Sequence, residues 1–297
     1  MNNPDFILLA QHGWSDNGND IGKLAQAIAT QDTLVLSPSL GLLKTYWRIE
    51  PLIQQLEKIT LETINQYPDR PVRVMGHSMG GLLCVELLHR HPELWHRVHS
   101  LVVIGSPMGG SDIARMIDPL GIGIGMARDL GKNRREMATE IAQQIPTLAI
   151  AGDLGFGTDG MVTVENTKFA YSNFIIVPGG AHTGLKRNQK LIPIIQEFWL
   201  NPQIADAPED NLATRIIQHL QQVPGMTDAH YRDFERSQTQ LVFPEGIEIR
   251  TWKNSAGVDH VFVANSDGEC IYGGYVGWLH AAQLQQALVK LNSQARE

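Results

Sequence analysis

Gly76-His77-Ser78-Met79-Gly80 carries the clearest chemical content in this sequence. A serine at the G-x-S-x-G spacing suits a sharp strand-to-helix turn that holds up a hydroxyl. The apolar run 72–75 before it and the helical stretch 80–91 after it supply that setting. Glycines at 76 and 80 let strand and helix approach closely, and Gly81 relaxes the packing further. The turn strains the serine backbone and projects its hydroxyl at the C-terminal edge of the sheet, where ligands bind in open α/β folds. The chemistry this implies is attack of Ser78 on a carbonyl carbon.

A serine hydroxyl is a poor nucleophile near neutral pH. It needs a base, and the base needs an orienting acid. In this setting the expected chain order is Ser, then Asp or Glu, then His. His182 sits in Gly179-Gly180-Ala181-His182-Thr183-Gly184, just past the apolar run 174–177 and at the same sheet edge as Ser78. His89, His91, His96 and His99 lie on or just beyond the helix after the turn, around Pro92, and read as surface residues. His219, His230, His260 and His280 belong to the C-terminal part. Two aspartates follow the run 147–151. Asp153 comes at once, and Asp159 comes later, in a glycine-flanked loop before an apolar run that anchors it. That anchoring favours Asp159 over Asp153, with Glu165 third.

The tetrahedral intermediate of acyl transfer places negative charge on the former carbonyl oxygen, and preorganised backbone N–H groups stabilise it. The run 6–10 ends in Gln11-His12-Gly13-Trp14, at the place for one such donor. The expected pair of donors is the amides of Trp14 and Met79. His12 is expected to brace the loop by hydrogen bonds rather than to act as a base.

The runs 6–10, 33–36, 72–75, 101–104, 147–151 and 174–177 are short and apolar without clear alternation, as in strands covered on both faces. Helical stretches at 20–29, 49–66, 80–91 and 189–200 fall between them. This β-α alternation predicts a parallel sheet with helices on both sides and right-handed crossovers. One connection, 109–144, is too long for a simple helix. It is rich in glycine and apolar residues, and reads as a cap whose substrate-facing part runs about Met108 to Met126. After residue 200 the texture changes. A polar linker at 201–211 leads to an amphipathic helix at 211–223, strands at 247–253, 261–265 and 270–272, and a closing helix at 278–291. The expected organisation is a catalytic domain over 1–200 and a small α+β module over 201–297.

The formal charge of −7 argues against a nucleic-acid surface. The two cysteines, Cys84 and Cys270, are far apart, form no CxxC pair and read as buried free thiols. No stretch is long and apolar enough for a signal peptide or a membrane span, so a soluble cytoplasmic protein is expected. Tyr272, Tyr275 and Trp278 read as core aromatics, with an exposed patch as the alternative.

With these residues in view, the first ~200 positions resemble the compact α/β-hydrolase lipases and esterases. The likeness rests on the strand running into His12-Gly13, the Gly76–Gly80 turn, Asp159-Gly160-Met161-Val162, and the Gly180–Gly184 histidine loop. The segment Ile104-Gly105-Ser106-Pro107-Met108-Gly109-Gly110-Ser111 also resembles a strand-end motif of lipase-like relatives. The resemblance implies an α/β-hydrolase fold with a mostly parallel sheet. It also implies that the aspartate of a D-x-V-like stretch is the triad acid, which supports Asp159, and that an apolar lid covers the site. It implies a carboxylesterase or lipase acting on a small-molecule acyl ester or lipid, with no metal or organic cofactor. A thioesterase or acyltransferase on the same triad stays open, as do a catalytically silent binding module and weak peripheral membrane contact. The C-terminal module resembles nothing in that family.

Overall fold

A computed structural model of the protein describes residues 4–41, 48–110 and 126–294. It divides the chain into two units, Met1–Ala207 and Pro208–Glu297. Among the described residues, no helix is long and apolar enough to cross a membrane.

Among the described residues the first unit holds six strands: β1 (Phe6–Gln11), β2 (Thr33–Leu36), β3 (Val72–His77), β4 (Val98–Ile104), β5 (Thr147–Asp153) and β6 (Asn173–Pro178). All pair in parallel, in the order β2-β1-β3-β4-β5-β6. Side chains along a strand alternate between faces, so a sheet buried on both sides needs every position apolar. The two cores show this division. Ile7, Leu9, Val74, Leu101, Val103 and Ala149 enter one core, while Leu8, Ala10, Met75, Val102, Ile104 and Ile150 enter the other.

Helices fill both faces. Helix α1 (Gly18–Ile28) starts at Asn17, whose side chain accepts the Asn19 amide, and it buries Ile21, Leu24, Ala25 and Ile28. That spacing forms a single stripe on a 3.6-residue period. Helices α2 (Glu50–Gln66) and α3 (Met79–Arg90) cover the opposite face through Leu52, Leu56, Leu82 and Leu83. Next come α4 (Met126–Leu130), α5 (Arg135–Ala142), α6 (Val164–Thr167), α7 (His182–Leu185) and α8 (Leu191–Leu200).

The part of the expected cap over 126–144 packs inward. Met126, Leu130, Ala138, Ile141 and Ala142 join the α2/α3 core. Residues 111–125, part of the expected cap and most of its substrate-facing stretch from Met108 to Met126, lie outside the described residues. Strand β4 begins earlier than expected and includes His99. That residue is a half-buried neighbour of Phe6, with ring centroids 5.2 Å apart, rather than a surface residue.

The second unit holds helix α9 (Leu212–Gln221), strands β7 (Thr227–Asp228), β8 (Gln238–Val242), β9 (Glu248–Lys253), β10 (Asp259–Ala264) and β11 (Cys270–Val276), and helix α10 (Ala281–Gln294). The strands form an antiparallel sheet in the order β7-β11-β10-β9-β8. Five strands stand where three were expected. Ile216 and Leu220 of α9 and Leu284 and Leu288 of α10 pack on Ile249, Val261, Val263 and Tyr272. Tyr272 is fully buried, Tyr275 stacks on His260 at 5.4 Å, and Trp278 is exposed. Cys84 is buried, but Cys270 is only partly so, which corrects the expectation of two buried thiols.

Candidate active site

The strand order reverses between β1 and β3, because β2 lies on one side of β1 and β3 to β6 lie on the other. Loops leaving two such strands part in opposite directions and open a crevice at their C-terminal ends. Ser78 follows β3 directly, and Gly13 follows β1.

Ser78 occupies the turn between β3 and α3 with φ 55° and ψ −127°. A non-glycine residue there is strained by about 1–3 kcal/mol. Both sides of the turn hold it: the Ser78 amide donates to the Ile104 carbonyl at 2.8 Å, and the Gly81 amide donates to the Ser78 carbonyl at 3.0 Å. The glycines at 76 and 80 are needed for space. A Cβ on Gly80 would lie 2.2 Å from the Gln11 carbonyl oxygen, and one on Gly76 would lie 2.5 Å from the Gly80 backbone.

His182 reaches Ser78 from the turn after β6. Its Nε2 is 2.9 Å from Ser78 Oγ, and its Nδ1 is 2.7 Å from Asp159 Oδ2. The carboxylate fixes the proton on Nδ1, which leaves Nε2 to accept from the serine hydroxyl. Asp159 Oδ1 accepts the amides of Met161 at 2.9 Å and Val162 at 2.7 Å, and the Asp159 carbonyl accepts the His182 amide at 2.9 Å. The Asp159 carboxylate is thus clamped by its own turn. Ser78, Asp159 and His182 are all buried.

Asp153, the rival acid, does other work. Its Oδ1 accepts the Gly155 amide at 2.7 Å and the Thr158 amide at 3.2 Å, which folds the loop that presents Asp159. Glu165, the third candidate, lies on helix α6.

The loop after β1 lies against the serine. A Cβ on Gly13 would come within 2.9 Å of Ser78 Cβ and 3.4 Å of Ser78 Oγ, so only glycine lets this backbone approach. Trp14 follows in that loop. Met79 is the first residue of α3 and is buried, and a first-turn amide has no acceptor within its own helix. His12 braces the loop. Its Nε2 accepts the Leu40 amide at 3.1 Å, and its Nδ1–H donates to the Gly13 carbonyl at 2.9 Å. Burial lowers its pKa and outweighs the opposing hydrogen bond to Gly13.

The alpha/beta hydrolase fold family matches residues 9–121. Among solved structures, a Bacillus licheniformis lipase in mature form aligns with a TM-score of 0.50 at 18% identity, covering 66% of this chain and 92% of that one. Est1E from Butyrivibrio proteoclasticus, bound to ferulic acid, aligns with a TM-score of 0.51 at 14% identity, covering 68% of this chain and 90% of that one. No curated protein sequence matches the chain. The N-terminal unit has the α/β-hydrolase fold.

Two features of this α/β-hydrolase unit escape a reading of the sequence. His77, the residue before the serine, is buried. Its Nε2–H donates to the His182 carbonyl at 2.9 Å, and the two rings lie 5.0 Å apart. Burial pushes His77 down to about 3, and the neighbouring His182 pushes the same way, so the His77 ring is neutral beside His182. The second feature is a part-buried ion pair between Lys186 and Asp16, which joins the His182 turn to the loop after Trp14. The signals were present, as a histidine inside the G-x-S-x-G motif and as opposite charges a few residues past two motif loops. Only the fold brings their partners together. Among the described residues, no group of three or more His, Cys, Asp and Glu side chains is placed to hold a metal ion.

Proposed function

We propose that the N-terminal unit is a serine hydrolase that cleaves esters through Ser78, His182 and Asp159. The observation that carries this reading is the continuous hydrogen-bonded chain, with Ser78 Oγ 2.9 Å from His182 Nε2 and His182 Nδ1 2.7 Å from Asp159 Oδ2. Ser78 Oγ attacks the ester carbonyl carbon as its proton passes to His182 Nε2. The carbonyl oxygen becomes an oxyanion, held by the backbone amides of Trp14 and Met79. Collapse of this intermediate breaks the carbon–oxygen bond, and Nε2–H protonates the departing alcohol. An acyl-Ser78 ester remains. Water then attacks it and gives its proton to Nε2. The second collapse returns that proton to Ser78 Oγ and releases the carboxylic acid. Throughout, Asp159 holds the ring tautomer and stabilises the transient imidazolium.

The test is fluorophosphonate labelling of the wild type beside Ser78→Ala, with turnover of short- and long-chain p-nitrophenyl esters on the same samples. Labelling and turnover are expected in the wild type, with kcat lower by about 10⁴-fold or more in Ser78→Ala. A folded wild type that takes no label and turns over no ester overturns the reading.

A further inference from the structure

The Asp16–Lys186 pair joins two loops that carry different parts of the proposed machinery. Lys186 caps the C-terminal end of the turn that opens at His182. Asp16 follows Trp14 closely on the loop leaving β1. The two side chains, Lys186 and Asp16, are 7% and 15% exposed. The second Asp16 oxygen accepts the Asn17 amide at 2.8 Å, and Asn17 in turn caps α1. One carboxylate oxygen therefore serves its own loop and the other serves the histidine turn. Burial raises the Asp16 pKa, but the Lys186 ammonium and the Asn17 amide outweigh it and hold the carboxyl below its usual range. Arg187 and Asp20, 3.1 Å apart, join the residue after Lys186 to the first turn of α1, but Arg187 is 65% exposed.

An ion pair drawn largely out of water adds little to stability, because desolvation offsets most of the attraction. Its firm effect is geometric, since separating the partners strands the buried Lys186 ammonium away from water. Here the fixed geometry is that of an amide donor relative to an imidazole.

We infer that Asp16 and Lys186 are positioning residues that lock the Trp14 loop against the His182 turn, so that oxyanion donor, nucleophile and base keep one arrangement. This rests on the catalytic reading of Ser78, His182 and Asp159 given above. A misplacement of ~1 Å at a reacting centre costs on the order of 10²-fold in rate. The loss falls on kcat, because the oxyanion exists only after substrate has bound.

The experiment uses the full chain with Lys186→Met, Asp16→Asn, the double variant, Lys186→Arg, and Arg187→Gln as control. Each is assayed for kcat and KM on one p-nitrophenyl ester, for affinity toward a boronic acid that adds to Ser78 as a tetrahedral adduct, and for thermal midpoint. Rates are taken well below each midpoint. Lys186→Met and Asp16→Asn are expected to lower kcat about 10- to 100-fold with KM within about twofold, and to weaken the boronate comparably. The double variant is expected to be no worse than the worse single one, as for two residues acting as a unit. Lys186→Arg is expected to recover part of the loss, and Arg187→Gln to match the wild type. Should Lys186→Met fail to fold, Asp16→Asn and Lys186→Arg carry the same comparison. Single variants with wild-type kcat and a lower thermal midpoint overturn the brace and leave the catalytic reading standing, as do single losses that multiply in the double variant. A wild type without label or turnover overturns both.

Discussion

Replacing Asp159 by asparagine separates the roles of the two aspartates on the loop after β5. The amide oxygen of the new side chain can still accept from Met161 and Val162, at 2.9 and 2.7 Å in the native turn, so the loop keeps its shape. The amide nitrogen then faces His182 Nδ1, where the carboxylate oxygen stood at 2.7 Å. A donor facing Nδ1 forces the ring proton onto Nε2. That nitrogen can no longer take the proton from Ser78 Oγ, 2.9 Å away. The wrong tautomer costs on the order of 10⁴ in kcat for a Ser-His-Asp triad, about 5 kcal/mol of barrier. Asp153→Asn is the paired control. Its Oδ1 accepts backbone amides from Gly155 and Thr158, and an amide oxygen serves them equally well. Its expected loss is within about threefold, since only a hydrogen bond to a charged acceptor is weakened. The assay is kcat and KM on a p-nitrophenyl ester, with circular dichroism and thermal midpoint to establish folding. A folded Asp159→Asn that keeps more than about a tenth of wild-type kcat refutes the assignment, as does an Asp153→Asn that falls as far.

Three further outcomes follow from the packing. Gly80→Ala puts a Cβ 2.2 Å from the Gln11 carbonyl oxygen and should destabilise by at least about 2 kcal/mol, so an unchanged urea midpoint refutes the contact. His77 stays neutral in the folded chain down to about pH 3, whereas a histidine in the unfolded chain titrates near 6.5. Its stabilising contribution is therefore complete above pH 6.5 and is lost toward pH 3 at roughly 1.4 kcal/mol per unit, because the unfolded chain takes the proton first. The urea midpoint of His77→Gln should therefore decline less steeply than that of the wild type between pH 6.5 and about 4, and parallel declines refute the argument. Burial raises the Cys84 thiol and pushes Cys270 up to about 12, so at about pH 8 the native protein should resist a disulfide reagent that labels both thiols in denaturant. Rapid native labelling contradicts that burial.

The first unit was legible because its signals are local. Its central strands are buried on both faces, so the runs 6–10 and 101–104 read as apolar without any knowledge of their neighbours. The G-x-S-x-G turn announces itself within five residues. Strands β7 and β8 were not legible. The first has two residues, and the second, Gln-Thr-Gln-Leu-Val, is an exposed edge strand with only Leu241 turned toward the core. Neither run carries an alternation to detect. The choice between Asp153 and Asp159 needed more than position along the chain. It turns on the loop from Thr158 to Thr163, where the Asp159 amide donates to the Val162 carbonyl and the carboxylate is turned toward His182. The contacts of His77 and Lys186 span 105 and 170 residues, which no local pattern encodes. The His99 expectation failed because the pattern placed the start of β4 too late. The ring belongs to a strand packed against Phe6.

Backbone strain at Ser78 gives a test that does not depend on turnover. At φ 55° and ψ −127° the serine Cβ meets a conformation that L-residues avoid and glycine accepts readily. The cost is about 1–3 kcal/mol, and it persists because the β3–β4 ladder on one side and α3 on the other fix both ends of the turn. Ser78→Ala removes the hydroxyl and keeps the Cβ, so the strain remains. Ser78→Gly removes both. Glycine also adds roughly 0.5–1 kcal/mol of unfolded-chain entropy, which works against the folded state. The difference leaves Ser78→Gly more stable than Ser78→Ala by up to about 2 kcal/mol, although both lack the hydroxyl. Urea unfolding of the two variants measures this directly. A glycine variant less stable than the alanine variant means the turn is relaxed with a side chain in place. A more stable one means the fold tolerates a strained residue at the single position where its hydroxyl meets His182, as selection for activity over stability predicts.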